Sequence, residues 1–269
     1  MDKKIKYAFL HIPKTAGTTF NYILKKHFGK EYKPFYPLMD DKERQVYLEP
    51  VIRASNARCV ASHALYIDGL DRQYITFLRD PVKMNVSLYY FVKKSKPWDE
   101  WSENVKKSTL SEFIDKFMAH NTQTRWISSV FDDGECTEKS LAIAKDRLDK
   151  MCFVGIVERF DESLLAFFKK LDWEPVYYLK KNVGKYSDKI SPEIEKSIKE
   201  KNHLDMELYV YAEKIYSRGV KKYGRKLKND LSQYIEQNDK FNNRISARFI
   251  KELGKLTGKI GNMDTLNRK

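Results

Sequence analysis

The sequence predicts an α/β protein, a three-layer fold with a central, mainly parallel sheet flanked by helices and a helical C-terminal extension. Three observations predict it. Short apolar runs rich in β-formers alternate with helical stripes as far as Leu171. Two of those runs end in loops that open straight into a helix. Beyond Pro192 the pattern is almost wholly helical.

The elements follow in order. Lys6–Ile12 is nearly all apolar, which suits a strand buried on both faces. Thr18–Phe28 carries Phe20, Ile23, Leu24 and Phe28 along one helical stripe. Arg58–Ser62 is a short strand, and Tyr74–Leu78 (YITFL) a stronger one. Asp80 is a suitable N-cap and Pro81 a suitable first helical residue, so a helix runs from there to about Lys94. Helices are expected over Thr109–His120, Asn121–Val130, Glu138–Lys150 and Asp161–Leu171, with a strand at Cys152–Val157. Residues 1–217 read as the main domain. Residues 218–269 read as a basic helical extension, with 14 Lys and Arg against 5 Asp and Glu and an apolar stripe at Ile245, Phe249, Leu253 and Leu256. That stripe suits a helix packed on the domain with a solvated basic face, or a peripheral contact with a membrane surface.

Composition bounds the function. The chain has 269 residues and a formal net charge of +14, which favours polyanionic partners such as nucleotides and acidic glycans. No nucleic-acid-binding module is recognisable, so nucleic acid is not an expected partner. Cys59, Cys136 and Cys152 are odd in number and far apart, which argues for free thiols and against a disulfide framework or a metal site. There is no run of 18 apolar residues, and the first apolar stretch is too short for a secretory segment. A soluble cytoplasmic protein is expected, lumenal only if an N-terminal anchor has been removed.

The first strand ends in the stretch FLHIPKTAGTTF, Phe9–Phe20. A strand, a glycine-containing turn and a helix form a phosphate cradle, because the first amides of the helix have no intrahelical acceptors and its dipole is positive there. Gly17 lets the backbone approach an anion, Thr15, Thr18 and Thr19 add hydroxyl donors, and Lys14 adds a cation. A Walker A loop has its lysine directly after the second glycine; here the lysine stands three residues before the loop's one glycine. The stronger strand leads into TFLRDPVKMNVSLYYF, Thr76–Phe91, which puts Arg79 at a strand's carboxyl end and Ser87 about two turns into the next helix. Two anion sites after two strands suit a nucleotide phosphorylated at two separate positions.

Together the two stretches resemble the sulfotransferases that use 3′-phosphoadenosine 5′-phosphosulfate (PAPS), in the branch that includes heparan sulfate 2-O-sulfotransferase. FLHIPKTAGTTF resembles that family's 5′-phosphosulfate loop, and RDPVKMNVSLYYF its 3′-phosphate motif. Weaker blocks, Asn121–Arg125, Phe153–Ser163 and Asn202–Tyr211, follow in the family's order, so the likeness spans roughly residues 5–218. It implies a P-loop-like fold and transfer of a sulfuryl group to a hydroxyl on a glycan, a glycolipid or a small molecule, with 3′-phosphoadenosine 5′-phosphate (PAP) as product and no metal. It implies that Lys14 stabilises the leaving oxygen, that Thr15, Gly17, Thr18 and Thr19 bind the 5′-phosphosulfate, and that Arg79 and Ser87 bind the 3′-phosphate. The base would be His63, after the RCVAS strand; where the heparan 2-O enzyme carries His-x-His, this chain reads His63-Ala64-Leu65. His11 lies in an apolar strand and reads as structural. His27, His120 and His203 read as surface or packing residues. Asn121, Gln123 and Arg125 either line the acceptor cleft or cap a helix. Lys180, Lys181 and Lys185 sit in a basic loop that either closes on the nucleotide or is solvated. The competing classes are a P-loop nucleotide kinase, for which Asp80 would be the metal-binding carboxylate, and a non-catalytic polyanion binder.

Overall fold

The computed structural model describes residues 5–36, 41–130, 134–179 and 190–264, with the backbone alone at 41, 42 and 44 and over 246–264. Its centre is a five-stranded sheet built from β1 (Tyr7–Leu10), β2 (Tyr32–Phe35), β3 (Cys59–Ser62), β4 (Gln73–Leu78) and β5 (Phe153–Ile156). The order is β2-β3-β1-β4-β5, and every pair is parallel. β1 is central, which explains why its residues are buried on both faces. Tyr7 and Phe9 pack to one side, Ala8 and Leu10 to the other.

Each face is covered by helices. α1 (Gly17–Phe28), α8 (Phe160–Leu171) and α11 (Gly224–Asp264) lie against the Tyr7/Phe9 face, where Phe20, Ile23, Leu24, Leu164, Phe167 and Leu227 close the core. On the opposite face are α2 (Asp41–Ala54), α6 (Thr122–Ser128), α7 (Glu138–Lys150) and α10 (His203–Lys221), which contribute Leu48, Trp126, Leu148 and Leu208. A third apolar cluster joins α3 (Pro81–Lys94), α4 (Glu100–Lys107) and α9 (Pro192–Lys201) through Val86, Tyr89, Val105, Phe113 and Ile198. The expected three layers are therefore present. No helix among the described residues is long and apolar enough to cross a membrane.

Several elements depart from the pattern. β2 reads YKPF, and Pro34 removes a donor from the ladder. It is tolerated because, among the described residues, β2 is an edge strand with β3 as its single neighbour. The helix expected over Thr109–His120 is one short turn, α5 (Leu110–Glu112), followed by a wider π-turn over Phe113–Phe117. The helix expected from Asn121 starts one residue later, because Asn121 is left-handed (φ 53°) and serves as its cap; Ser129, also left-handed, ends it. The break before the long C-terminal helix falls at residues 222–223, and Gly224, the first residue of α11, has φ 55°. Along α11, Leu227, Tyr234 and Asn238 are buried, and Asn238 Oδ1 accepts a hydrogen bond from the Tyr178 amide. The side chains of Phe249, Leu253 and Leu256 lie outside the described residues.

Candidate active site

The strand order brings the loops after β2, β3, β1 and β4 side by side at the carboxyl edge of the sheet, in the order Tyr36, His63, Lys14, Arg79. Neighbouring strands are about 4.8 Å apart, so chemistry on adjacent loops can meet.

The loop after β1 is strained in a directed way. Lys14 and Ala16 both have φ 64°, and Thr15 between them does not. Left-handed non-glycine residues cost on the order of 1 kcal/mol each, so something must hold them. Thr15, fully buried, donates its hydroxyl to the Ile12 carbonyl at 2.8 Å, and Arg79 Nη1 donates to the Lys14 carbonyl at 3.1 Å. Backbone that alternates in this way turns successive N–H groups toward one concave side, an anion-binding nest. Thr19 and Phe20 already donate to the Ala16 carbonyl, at 3.1 and 3.2 Å, which leaves the Gly17 and Thr18 amides at the open helix end. The first turn of α1 contains no acidic residue to fill the nest. Of the three threonines, Thr18 is exposed and Thr19 half-buried, so both hydroxyls are within reach of a ligand; Thr15 has its hydroxyl committed and offers its amide. Gly17 has a second reason to be glycine: a Cβ there would lie 1.7 Å from His11 Nε2.

Two cations border this nest. Lys14 Nζ rests 4.1 Å above the Phe91 ring, and burial, with Arg79 nearby, pulls its pKa down to about 8. Arg79 is also pushed down by burial, against the pull of Glu158. Its Nε is buried without a hydrogen bond and lies 3.8 Å from Glu158 Oε1. Gln123 fixes the Arg79 backbone from both sides: Arg79 N–H donates to Oε1 at 2.9 Å, and Nε2 donates to the Arg79 carbonyl at 2.8 Å. Glu158 is fixed in turn by the Asp80 amide at 3.2 Å and the Tyr209 hydroxyl at 2.9 Å. A desolvated ammonium beside a buried guanidinium with an unmated N–H is costly alone and satisfied by an oxyanion. These residues therefore fit a doubly phosphorylated ligand. Ser87, partly exposed, lies six residues past Pro81, about 9 Å along α3.

His63 follows β3. Its Nδ1 is 2.8 Å from the His11 carbonyl oxygen. A carbonyl only accepts, so Nδ1 carries the proton in this hydrogen bond.

Other expected residues are placed elsewhere. Asp80 Oδ1 accepts the Lys83 amide at 2.9 Å as the cap of α3. Asn121 and Gln123 are buried: Asn121 Oδ1 accepts the Leu204 and Asp205 amides, and Gln123 clamps Arg79. Arg125 donates to the His120 and Gly134 carbonyls. His27 stacks on Trp173 at the far end of α1. Lys180, Lys181 and Lys185 lie outside the described residues. Pattern reading missed Phe91, Glu158 and Tyr209, whose roles depend on contacts between distant segments. Glu158 stands in a block, Phe153–Ser163, whose likeness to the family was the one available signal.

The chain is similar to heparan-sulfate 6-O-sulfotransferase 2 of mouse, 26% identical over 306 residues that cover 90% of this chain and 48% of that protein. It is 27% identical to the human protein of the same name, over 77% of this chain and 44% of that one. The chain thus spans about half the length of these relatives. No family model matches it. Among solved structures, mouse sulfotransferase SULT7A1 complexed with PAP is similar over 86% of this chain and 90% of that one, at 12% identity and a TM-score of 0.43. The sequence relatives support the family that the two loops resemble, the PAPS-dependent sulfotransferases. They carry the name of the 6-O enzyme, where the motifs resemble the branch of the 2-O enzyme.

Proposed function

We propose that this protein transfers a sulfuryl group from PAPS to a hydroxyl of a glycan or glycolipid. The observation that carries the reading is the pairing of the Lys14–Thr19 nest with Arg79 at the carboxyl ends of adjacent strands β1 and β4, where an unmated N–H and a lowered lysine await anionic groups. The amides of Gly17 and Thr18 and the hydroxyls of Thr18 and Thr19 bind the 5′ end, and Arg79 with Ser87 binds the 3′-phosphate. Lys14 leaves the Phe91 ring and meets the oxygen between phosphorus and sulfur. The acceptor oxygen attacks sulfur in line, its S–O bond forms as the bridging S–O bond breaks, and the acceptor proton passes to His63. PAP departs with its new negative charge held by Lys14 and the nest. Placement and charge do the work, as in phosphoryl transfer. The names of the relatives favour a carbohydrate acceptor.

The test is calorimetric titration with PAP, beside ADP and ATP with and without magnesium. Tight, magnesium-independent binding of PAP that weakens in Arg79→Ala is expected. A preference for ATP with magnesium sinks the reading in favour of a kinase. His63→Ala should retain PAP binding and lose turnover; a fully active variant rejects His63 as the base. The reading includes a cytoplasmic location and a peripheral role for residues 218–269 at anionic membranes. Flotation with anionic vesicles that does not depend on those residues removes the membrane role.

A further inference from the structure

Two helices of the core exchange their caps. α6 starts after Asn121 and α10 after Asn202, and neither asparagine caps its own helix through its side chain. The Asn121 side chain serves α10 instead: its Oδ1 accepts the Leu204 amide at 3.1 Å and the Asp205 amide at 3.2 Å. Asn202 Oδ1 accepts the Asn121 amide at 2.9 Å. Asp205 caps α6. Its Oδ2 accepts the Gln123 amide at 3.0 Å, and its Oδ1 accepts the Thr124 amide and hydroxyl, both at 2.7 Å. Asn121, Gln123, Thr124, Asn202 and Asp205 are all buried. A buried carboxyl group is tolerated where donors meet its oxygens, and a network satisfied in this way is rigid.

The exchanged caps lead to Arg79 by two routes. Arg79 stands between the end of β4 and the start of α3, and its N–H and C=O are both bonded by the Gln123 side chain rather than by a ladder. Asp205 holds Gln123 in turn through the Gln123 amide. Tyr209 lies one turn beyond Asp205 on the same face of α10, and its hydroxyl donates to Glu158 Oε2 at 2.9 Å. The other oxygen of Glu158 is 3.8 Å from Arg79 Nε. One face of α10 thus reaches both ends of Arg79, the backbone through Gln123 and the guanidinium through Glu158. A planar fork recognises a phosphate only when it is aimed, so the residues that aim it bear on which nucleotide is bound.

We propose that Asp205 and Tyr209 are positioning residues for Arg79, and that they set the discrimination between nucleotides with and without a 3′-phosphate. The inference deepens the sulfotransferase reading and rests on it.

The experiment is calorimetric titration of the full chain with PAP and with adenosine 5′-phosphate, which lacks the 3′-phosphate. The proteins are wild type, Asp205→Asn and Tyr209→Phe, each also combined with Arg79→Ala. Wild type should favour PAP by at least about tenfold, as for a hydrogen bond to a charged group. Asp205→Asn puts an amide group where an oxygen accepts an α6 amide. It should weaken PAP by at least about fivefold and adenosine 5′-phosphate by less than about twofold. Tyr209→Phe loses one hydroxyl and should act in the same direction, by at least about twofold. With Arg79 already replaced, neither substitution should weaken PAP further. A merely structural pair would lower thermal stability and treat the two nucleotides alike, with or without Arg79. An unchanged preference in both variants overturns the proposal, as does an equal loss of PAP affinity in the Arg79→Ala background. Should Asp205→Asn fail to fold, Tyr209→Phe, which keeps the ring, decides the matter. A wild type that binds both nucleotides equally refutes the 3′-phosphate site and the proposal with it. A wild type that prefers PAP, beside variants that keep the preference, refutes the positioning by α10 alone, so the two failures are distinct.

Discussion

The protein carries positive charge in two very different ways. At the carboxyl edge of the sheet, two cations, Lys14 and Arg79, are confined against each other, largely desolvated and both shifted toward their neutral forms. Among the described side chains of α11 the cations are numerous and wet. Lys240, for example, pairs with Glu236 at 2.6 Å while both side chains stay more than half exposed. An exposed ion pair contributes ~0–1 kcal/mol, whereas a buried cation lacking a full complement of acceptors is unfavourable until an anion arrives. Charge count draws polyanions toward the surface; confinement makes a site.

Substitutions can break this contrast at either end. The largest effect is expected from Lys14→Ala, which should lower turnover about 10²–10³-fold, as for loss of one transition-state charge partner, with PAP affinity changed only modestly. Steady-state kinetics beside calorimetry separates the two. Next comes the helix that carries the wet cations, because its inner face is core: Leu227 is 3% exposed, and Leu227→Ala should cost about 2–5 kcal/mol in chemical denaturation. If that variant is as stable as the wild type, α11 does not belong to the core. Arg79→Ala should weaken PAP binding by about 1.5–3 kcal/mol, the value of a hydrogen bond to a charged group, with thermal stability retained.

A pH dependence sharpens the comparison further. The Lys14 pKa of about 8 describes the ligand-free site. Bound anion favours the ammonium and raises that pKa, so binding takes up a proton above pH 8. PAP affinity should be full below pH 8 and fall as pH rises through it, by no more in total than the modest loss expected of Lys14→Ala. Arg79→Ala removes a repelling charge and should move the onset to higher pH. Calorimetry in buffers of different ionisation enthalpy measures the proton directly, and an affinity flat from pH 7 to 9 contradicts the assignment. The smallest effect is expected at Lys240→Ala, where stability should shift by less than about 0.5 kcal/mol and PAP affinity not at all.

Much of this was legible in one dimension. Apolar runs separated by helical stripes gave the layers, because burial imposes a period on any chain that folds around a sheet. The Asp80-Pro81 start of α3 was readable because capping and proline geometry are local. The loop after β1 and Arg79 stood out as residue types in an order that favours anions. What failed locally was decided by distant partners. β2 has a proline that an interior strand rejects and an edge strand accepts. Asn121 reads as part of a helix until Leu204 and Asp205 supply amides to its side chain.

The sequence by itself determined the α/β plan and marked the candidate anion-binding loop and its two cations, since each depends on local period or residue chemistry. The tertiary structure alone decided which charges are desolvated, that Gln123 and Glu158 hold Arg79, and that His11 lies against His63. Those facts depend on strand order, and strand order brings residues 52 positions apart into one hydrogen bond.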